Sequence, residues 1–232
     1  MTPGELLGLH AGILFRFDID GRMYANNTLA FEAAPRFYLG RCAEATVALV
    51  REDVPPQIAA DLLELASSEP PHTSPRTEPR FADNYRALLE EDGPVTRSYF
   101  GPAYVLPTGT WLPAGEARQL VLDDLPVFSP HFPWLKGDLE AGQPAFGVVR
   151  DGAVVGQCCC ARLGTGAAEA GLEVAEAYRR QGIAKDCTAA WASHIRETGR
   201  TVMYSTTWEN EASQAVAAAL GFEVYATDWH AT

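Results

Sequence analysis

Apolar and polar residues follow two periods along this chain, and the changes between them mark out most of its elements. Alternation at every second residue predicts a strand, and recurrence at about every 3.6 residues predicts a helix. LFRFDIDGRMY alternates around Asp20-Gly21, a favoured tight-turn pair, and predicts a hairpin. RFYLGRCAEATVALV (36–50) predicts one or two further strands. PPQIAADLLELASS (55–68) opens on prolines and then sets Ile58, Leu62 and Leu65 on one helical face. A proline-rich loop, EPPHTSPRTEP, follows at 69–79. FADNYRALLEE (81–91) predicts a second helix and TRSYFGPAYVLP a closing strand.

PTGTWLPAGE (107–116) carries Pro107, Gly109, Pro113 and Gly115 and reads as a linker. It divides the chain into a small α+β accessory domain, residues 1–106, and a second domain, residues 117–232. RQLVLDD (118–124) predicts a strand, and DLPVFSPHFPWL a helical stretch broken by prolines. PAFGVVRDGAVVGQCCCARL (144–163) has two apolar runs around Asp151-Gly152, a strong hairpin signal. AEAGLEVAEAY (168–178) predicts a strand that ends at about Ala177. RRQGIAKDCTAAWASHIRETG then predicts a helix with Ala184, Cys187, Ala190, Trp191 and Ile195 on its buried face and Gly199 as its C-terminal cap. TVMYSTTW (201–208) is β-rich, NEASQAVAAALG predicts a helix, and FEVYATDWHA a last strand. The order β-β-β-α-β-α-β implies an α/β mixed sheet with flanking helices. No internal repeat links the halves.

Composition narrows the function classes. The 232 residues carry 18 basic against 30 acidic side chains, a net charge of −12. Nucleic-acid binders concentrate basic residues in a patch or stripe, and here the arginines are dispersed among carboxylates, so a nucleic-acid partner is disfavoured. No apolar run approaches the roughly 20 residues of a membrane span. The N-terminus has no basic start and holds Glu5 within its apolar part, unlike a signal peptide, which predicts a cytoplasmic protein. Of five cysteines, Cys158, Cys159 and Cys160 are adjacent and would point to alternate faces of a strand, so they predict buried free thiols rather than disulfides. With no CxxC pair and five scattered histidines, no metal site is expected.

One stretch stands apart. YRRQGIAKD (178–186) places Arg179, Arg180 and one of only two lysines, Lys185, around Gly182, where a strand gives way to a helix. The first four amides of a helix lack intrahelical partners, and the macrodipole adds about half a positive charge there. Gly182 has no Cβ, so a ligand can approach the backbone, and arginines supply charge-assisted bonds to phosphate. Such a start suits a pyrophosphate, and it equally suits a plain solvated cap. GxxxxGK[ST], GxGxxG and GxSxG are all absent.

Arg179-x-x-Gly182-x-Ala184, after the strand GLEVAEAYR, resembles the Q/R-x-x-G-x-G/A acyl-CoA motif of the GNAT superfamily of N-acyltransferases. Downstream, Asn210-x-x-Ser213 followed by Leu220-Gly221-Phe222 is similar to that superfamily's "N…S/A…LGF" segment. The matches cover about residues 117–230. The resemblance implies a GNAT-like mixed central sheet with flanking helices. It also implies that the backbone amides of Arg180, Gln181, Gly182, Ile183, Ala184 and Lys185 hold the CoA pyrophosphate, with Arg179 in a motif position. Val174 would pair its backbone with the pantetheine arm, and Asn210 and Ser213 would sit near that arm.

The implied reaction is direct attack of an amine on the acetyl thioester of acetyl-CoA, without metal. Glu169 and Glu173 are the candidate general bases, acting through a water. They share a face of an unbroken strand, and Glu173 lies nearer the CoA motif. Each also reads as an ordinary solvated glutamate. Many members carry a tyrosine seven positions after the asparagine as general acid; here that position is Ala217. Tyr204, Ser205 and Tyr225 are nearby in sequence, and none is singled out. Cys187 reads as a packing residue. The expected activity is N-acetylation of a small-molecule or peptide amine, and a homodimer is compatible with it. The alternative is a degenerate module that binds CoA or acyl-CoA as a sensor.

Overall fold

The computed structural model describes residues 1–70, 72 and 74–232. Pro71 and Thr73 of the expected loop at 69–79 lie outside the described residues. In chain order the first elements are α1 (Pro3–Leu14), β1 (Phe15–Phe17), β2 (Met23–Asn26), β3 (Phe37–Arg41), β4 (Thr46–Val50), α2 (Pro56–Ser67), α3 (Ala82–Glu90) and β5 (Ser98–Val105). There follow β6 (Arg118–Gln119), α4 (Leu125–Phe128), α5 (Leu135–Glu140), β7 (Phe146–Arg150), β8 (Ala153–Leu163) and β9 (Ala167–Val174). The last are α6 (Ile183–Glu197), β10 (Thr201–Ser205), α7 (Glu211–Ala219) and β11 (Glu223–Ala231).

The chain forms two compact units. One comprises Met1–Tyr104, Ser205–Glu211 and Val224–Thr232, the other Val105–Tyr204 and Ala212–Glu223. The first boundary falls just before the Pro/Gly stretch at 107–116. The return of residues 205–211 and 224–232 to the first unit follows no local punctuation, because it rests on strand pairing across most of the chain. β11 pairs antiparallel with β3, from Thr227 opposite Arg41 to Ala231 opposite Phe37.

In the first unit the strands run β4-β3-β11-β5. Every residue of β3 is buried, because both faces are covered. Phe37 and Leu39 join Ile58 and Leu62 of α2, Tyr85 and Leu89 of α3, and Trp229. Tyr38 packs the other way, with Ala11 of α1. A Cβ on Gly40 would stand 2.6 Å from Leu7 Cδ1 of α1, so a larger residue there would displace that side chain. α1 has no counterpart among the sequence expectations. Its signal is nonetheless local: Thr2 Oγ1 accepts from Glu5 N–H at 3.2 Å and Glu5 Oε2 accepts from Thr2 N–H at 2.8 Å, a capping box with Pro3 in the first turn. The hairpin at Asp20-Gly21 forms as expected between β1 and β2.

In the second unit the order is β10-β9-β8-β7-β6. β9 and β10 are parallel and the other neighbours antiparallel, which gives the mixed sheet. Asp151 and Gly152 turn the β7–β8 hairpin with φ of 50° and 77°, the left-handed pair a tight turn requires. α6 covers one face, where a Cβ on Gly156 would meet Ile183 Cγ2 at 2.4 Å. α4 and α5 cover the other, with Phe128, Phe132 and Leu135 against Cys159. Two expectations shorten. The strand at 118–124 stops at Gln119, because Asp124 Oδ2 takes the Val121 N–H at 2.9 Å and turns the chain. The strand expected to Ala177 stops at Val174, and Glu176–Tyr178 form a 3₁₀ turn through the Tyr178 N–H to Ala175 C=O bond of 2.9 Å.

All five cysteines are free and buried, as their spacing predicts. Cys159 faces α5, and burial pushes its thiol and that of Cys158 well up; Cys160 rises to about 11 and Cys187 to about 12. We expect a disulfide reagent at pH 8 to titrate fewer than about one thiol per native chain, and the full set after guanidinium unfolding. Rapid reaction of several native thiols would contradict this burial.

Candidate functional site

β9 is bonded unequally along its two edges. Toward β8 it pairs from Ala168 opposite Leu163 to Val174 opposite Gly156. Toward β10 it pairs only over Ala167–Glu169, opposite Thr201–Met203. Backbone N–H and C=O groups alternate between the edges of a strand. Ala175 N–H donates to Val155 C=O at 2.9 Å and Thr201 N–H donates to Gly166 C=O at 3.0 Å. Odd positions of β9 therefore bond toward β8 and even positions toward β10. Leu172 and Val174 turn their main chains to an edge that β10 has left. At about 3.3 Å per residue, this free edge runs about 17 Å from the Glu169–Met203 pair to Val174.

Past Val174 the 3₁₀ turn leads into the helix start. Arg180 has φ of 61° and Gly182, the N-cap of α6, φ of 83°. Gly182 gives no side-chain cap, and no atom lies within 4 Å of where its Cβ would stand. Among the described residues, the N–H groups of Arg180, Gln181, Gly182, Ile183, Ala184 and Lys185 donate to no backbone carbonyl. The first helical bond is Asp186 N–H to Gly182 C=O at 3.1 Å. Asp186, an acid in the first turn, points away, where its Oδ2 accepts from Glu116 N–H at 3.2 Å. A row of free amides, a helix dipole and open space at glycine together fit an anion of pyrophosphate type.

The side chains divide their work differently from the sequence expectation. Arg179 turns back, its Nε donating to Val174 C=O at 3.3 Å, and so braces the strand end. Gln181 Nε2 donates to Ala177 C=O at 3.4 Å. Arg180 is exposed and Lys185 half-buried.

Glu169 and Glu173 share the sheet face opposite α6. Glu173 is exposed and sits across from Gln157; Glu169 is only 4% exposed and sits across from Arg162. Glu169 also belongs to the last β9–β10 pair, where the strands part. Sequence reasoning missed a third acid on this face. Asp138 of α5 accepts from Cys159 Sγ at 3.7 Å, and burial raises its carboxyl above the usual range. No motif marks it, since the packing of α5 alone brings it there.

The downstream segment separates into two parts. Gly221 has φ of 78°; its N–H donates to Ala218 C=O at 3.1 Å, and Phe222 N–H to Ala217 C=O at 3.0 Å. These are the two bonds of a Schellman stop, so Leu220-Gly221-Phe222 ends α7 rather than doing chemistry. Asn210, in the first unit, closes the turn before α7 through its N–H to Thr207 C=O at 3.2 Å. Ser213, on α7, shares a 2.6 Å hydrogen bond with Tyr204 of β10. Among the described residues, no cluster of His, Cys, Asp and Glu is arranged to hold a metal ion, and no helix is long and apolar enough to cross a membrane.

A mixed sheet with one strand edge left open beside a helix that starts on free amides fits an extended ligand that carries an anionic group. The family model for the acetyltransferase (GNAT) domain matches residues 82–223, more than half of the chain, and this chain belongs to that family. Among solved structures it is similar to a Drosophila protein, with 18% identity and a TM-score of 0.53 over 80% of this chain and 73% of that one. It is similar to a GNAT-family acetyltransferase of Colwellia psychrerythraea, with 23% identity and a TM-score of 0.50 over 64% of this chain and 60% of the other. A GNAT-family protein of Novosphingobium aromaticivorans is 16% identical, with a TM-score of 0.49 over 59% of this chain and 65% of its own. The chain thus spans less than two thirds of the length of the last two. Comparison with curated proteins finds no match.

Proposed function

We propose that this chain transfers an acetyl group directly from acetyl-CoA to the amine of a small molecule or peptide. The observation that carries this reading is the continuity of the open β9 edge with the free amides at the start of α6. The amides of Arg180 to Lys185 hold the pyrophosphate, with Arg180 and Lys185 adding charge. The Val174 N–H pairs with an amide of the pantetheine arm, and Arg179 keeps that strand end in place through the Val174 carbonyl. Ser213 flanks the arm. The thioester then lies toward the Glu169 end of the free edge.

Glu169 and Glu173 are the proposed bases that take the ammonium proton through a water. The position of Glu169 at the parting of the strands favours it over Glu173, which lies nearer the pyrophosphate end. The acidic surface favours a cationic acceptor. We propose a cytoplasmic location and, along the sequence, an accessory N-terminal region, residues 1–106, and an acyltransferase region, residues 117–232.

The test is incubation with acetyl-CoA and a panel of amines while free thiol is followed. Saturable binding with amine-dependent thiol release supports the enzyme. One observation favours a second reading: Ala217, at the position of the usual acid, is fully buried and has no hydroxyl. Saturable binding with no release from any amine would indicate a CoA-binding module. Absence of binding would overturn both.

A further inference from the structure

We propose that the hydroxyl of Ser213, oriented by Tyr204, donates a hydrogen bond to the CoA sulfur and so stabilises the departing thiolate. This inference rests on the acetyl-CoA reading above. It starts from the β9–β10 ladder, which ends at the Glu169–Met203 pair. Tyr204 is the next residue of β10 and hence the first beyond the parting of the strands. Its ring is 2% exposed and packs 5.6 Å from that of Phe222, so the phenol is held in place. Its hydroxyl meets Ser213 Oγ at 2.6 Å, short even for an O–H···O contact. Ser213 is only half-buried, so of the two hydroxyls it is the one a ligand reaches. A ligand anchored at Arg180–Lys185 and laid along the free edge of β9 brings its far end to this point.

The division of labour follows from donor geometry. When Tyr204 donates to Ser213 Oγ, the serine O–H is turned away from the phenol, and the two bonds in series polarise one another. As the amine attacks, the C–S bond breaks and its electron pair goes to sulfur, which accepts from the serine O–H. The proton lost by the amine goes to the carboxylate base, and the thiolate takes one from solvent on release. A thiol near pKa 8.5 requires no strong acid, which is why Ala217 in place of a tyrosine is tolerated. Ser213 is thus the catalytic residue and Tyr204 a positioning residue.

The experiment needs no acceptor. CoA itself is bound to wild type and to the Ser213→Ala, Ser213→Thr, Tyr204→Phe and Ser213→Ala/Tyr204→Phe variants. Calorimetry gives each Kd, and ultraviolet thiolate absorbance gives the pKa of the bound thiol. A donor to the thiolate lowers that pKa. We expect wild type about one unit below Ser213→Ala, a tenfold change in the ionisation constant. Ser213→Thr should stay near wild type and Tyr204→Phe fall between. The double variant should be no higher than Ser213→Ala, because Tyr204 acts only through the serine. All Kd values should agree within about threefold. A bound-thiol pKa that Ser213→Ala leaves unchanged, or single effects that add in the double variant, would overturn the assignment while leaving the acetyl-CoA reading intact. Failure of wild type to bind CoA would overturn that reading and this inference with it.

Discussion

Gly182→Asp is expected to weaken acetyl-CoA binding on the order of a hundredfold, about 2.8 kcal/mol, with the fold retained. Gly182 has φ of 83° and open space where a Cβ would stand, amid amides that make no backbone bond of their own. A carboxylate placed there meets the anion that those amides would bind. Two unit charges about 4 Å apart repel by about 4 kcal/mol at an effective dielectric of 20, and solvent exposure of the site reduces that. The left-handed backbone costs a substituted residue about 1–2 kcal/mol, but free and bound protein bear it alike, so it lowers stability rather than affinity. Gly182→Asn separates the two effects, because asparagine tolerates that conformation without charge. It should lose only a few-fold in Kd by calorimetry. Equal affinity of Gly182→Asp and wild type would mean that the start of α6 is not the cofactor site.

Glu169→Gln is expected to lower kcat/KM by about 10²–10⁴, the usual range for removing a positioned base, with acetyl-CoA affinity within about twofold. Glu173→Gln should cost less, on the order of tenfold. The ranking comes from placement. Glu169 stands at the last β9–β10 pair and is 4% exposed, whereas Glu173 is exposed four residues along, toward the pyrophosphate end. Rates measured against pH with a saturating amine check the assignment, since loss of the base removes the acid limb of the profile. Parallel melting curves detect any damage from replacing a buried acid opposite Arg162. A larger loss in Glu173→Gln than in Glu169→Gln would reverse the assignment of the base.

Legibility followed the range of the interaction. The hairpin at Asp151-Gly152, the amphipathic helices and the Gly182 start were readable because each depends on residues within a few positions of one another. α1 was readable in principle: Thr2, Pro3 and Glu5 form a local cap, but it precedes a run whose apolar residues suggested no face. The ends of β6 and β9 were not readable, because a side chain and a 3₁₀ turn took the backbone groups that a longer strand would have used. Asp138 reaches the acid-bearing face only through the packing of α5, and no spacing in the chain announces it.

For the site, the motif residues carried their own evidence. Arg179, Gly182 and Ala184 identify a helix start able to bind an anion, and Leu220-Gly221-Phe222 identifies a helix stop. What they could not identify was the direction of each group. Arg179 braces the Val174 carbonyl instead of standing free, and the Tyr204 hydroxyl meets that of Ser213. The sequence by itself determined most of the elements and the glycine-marked start of α6, since these arise from backbone geometry and contacts between near neighbours. Only the tertiary structure decided where β10 leaves β9 and which side chains gather there, because strand register and helix packing join residues far apart in the chain.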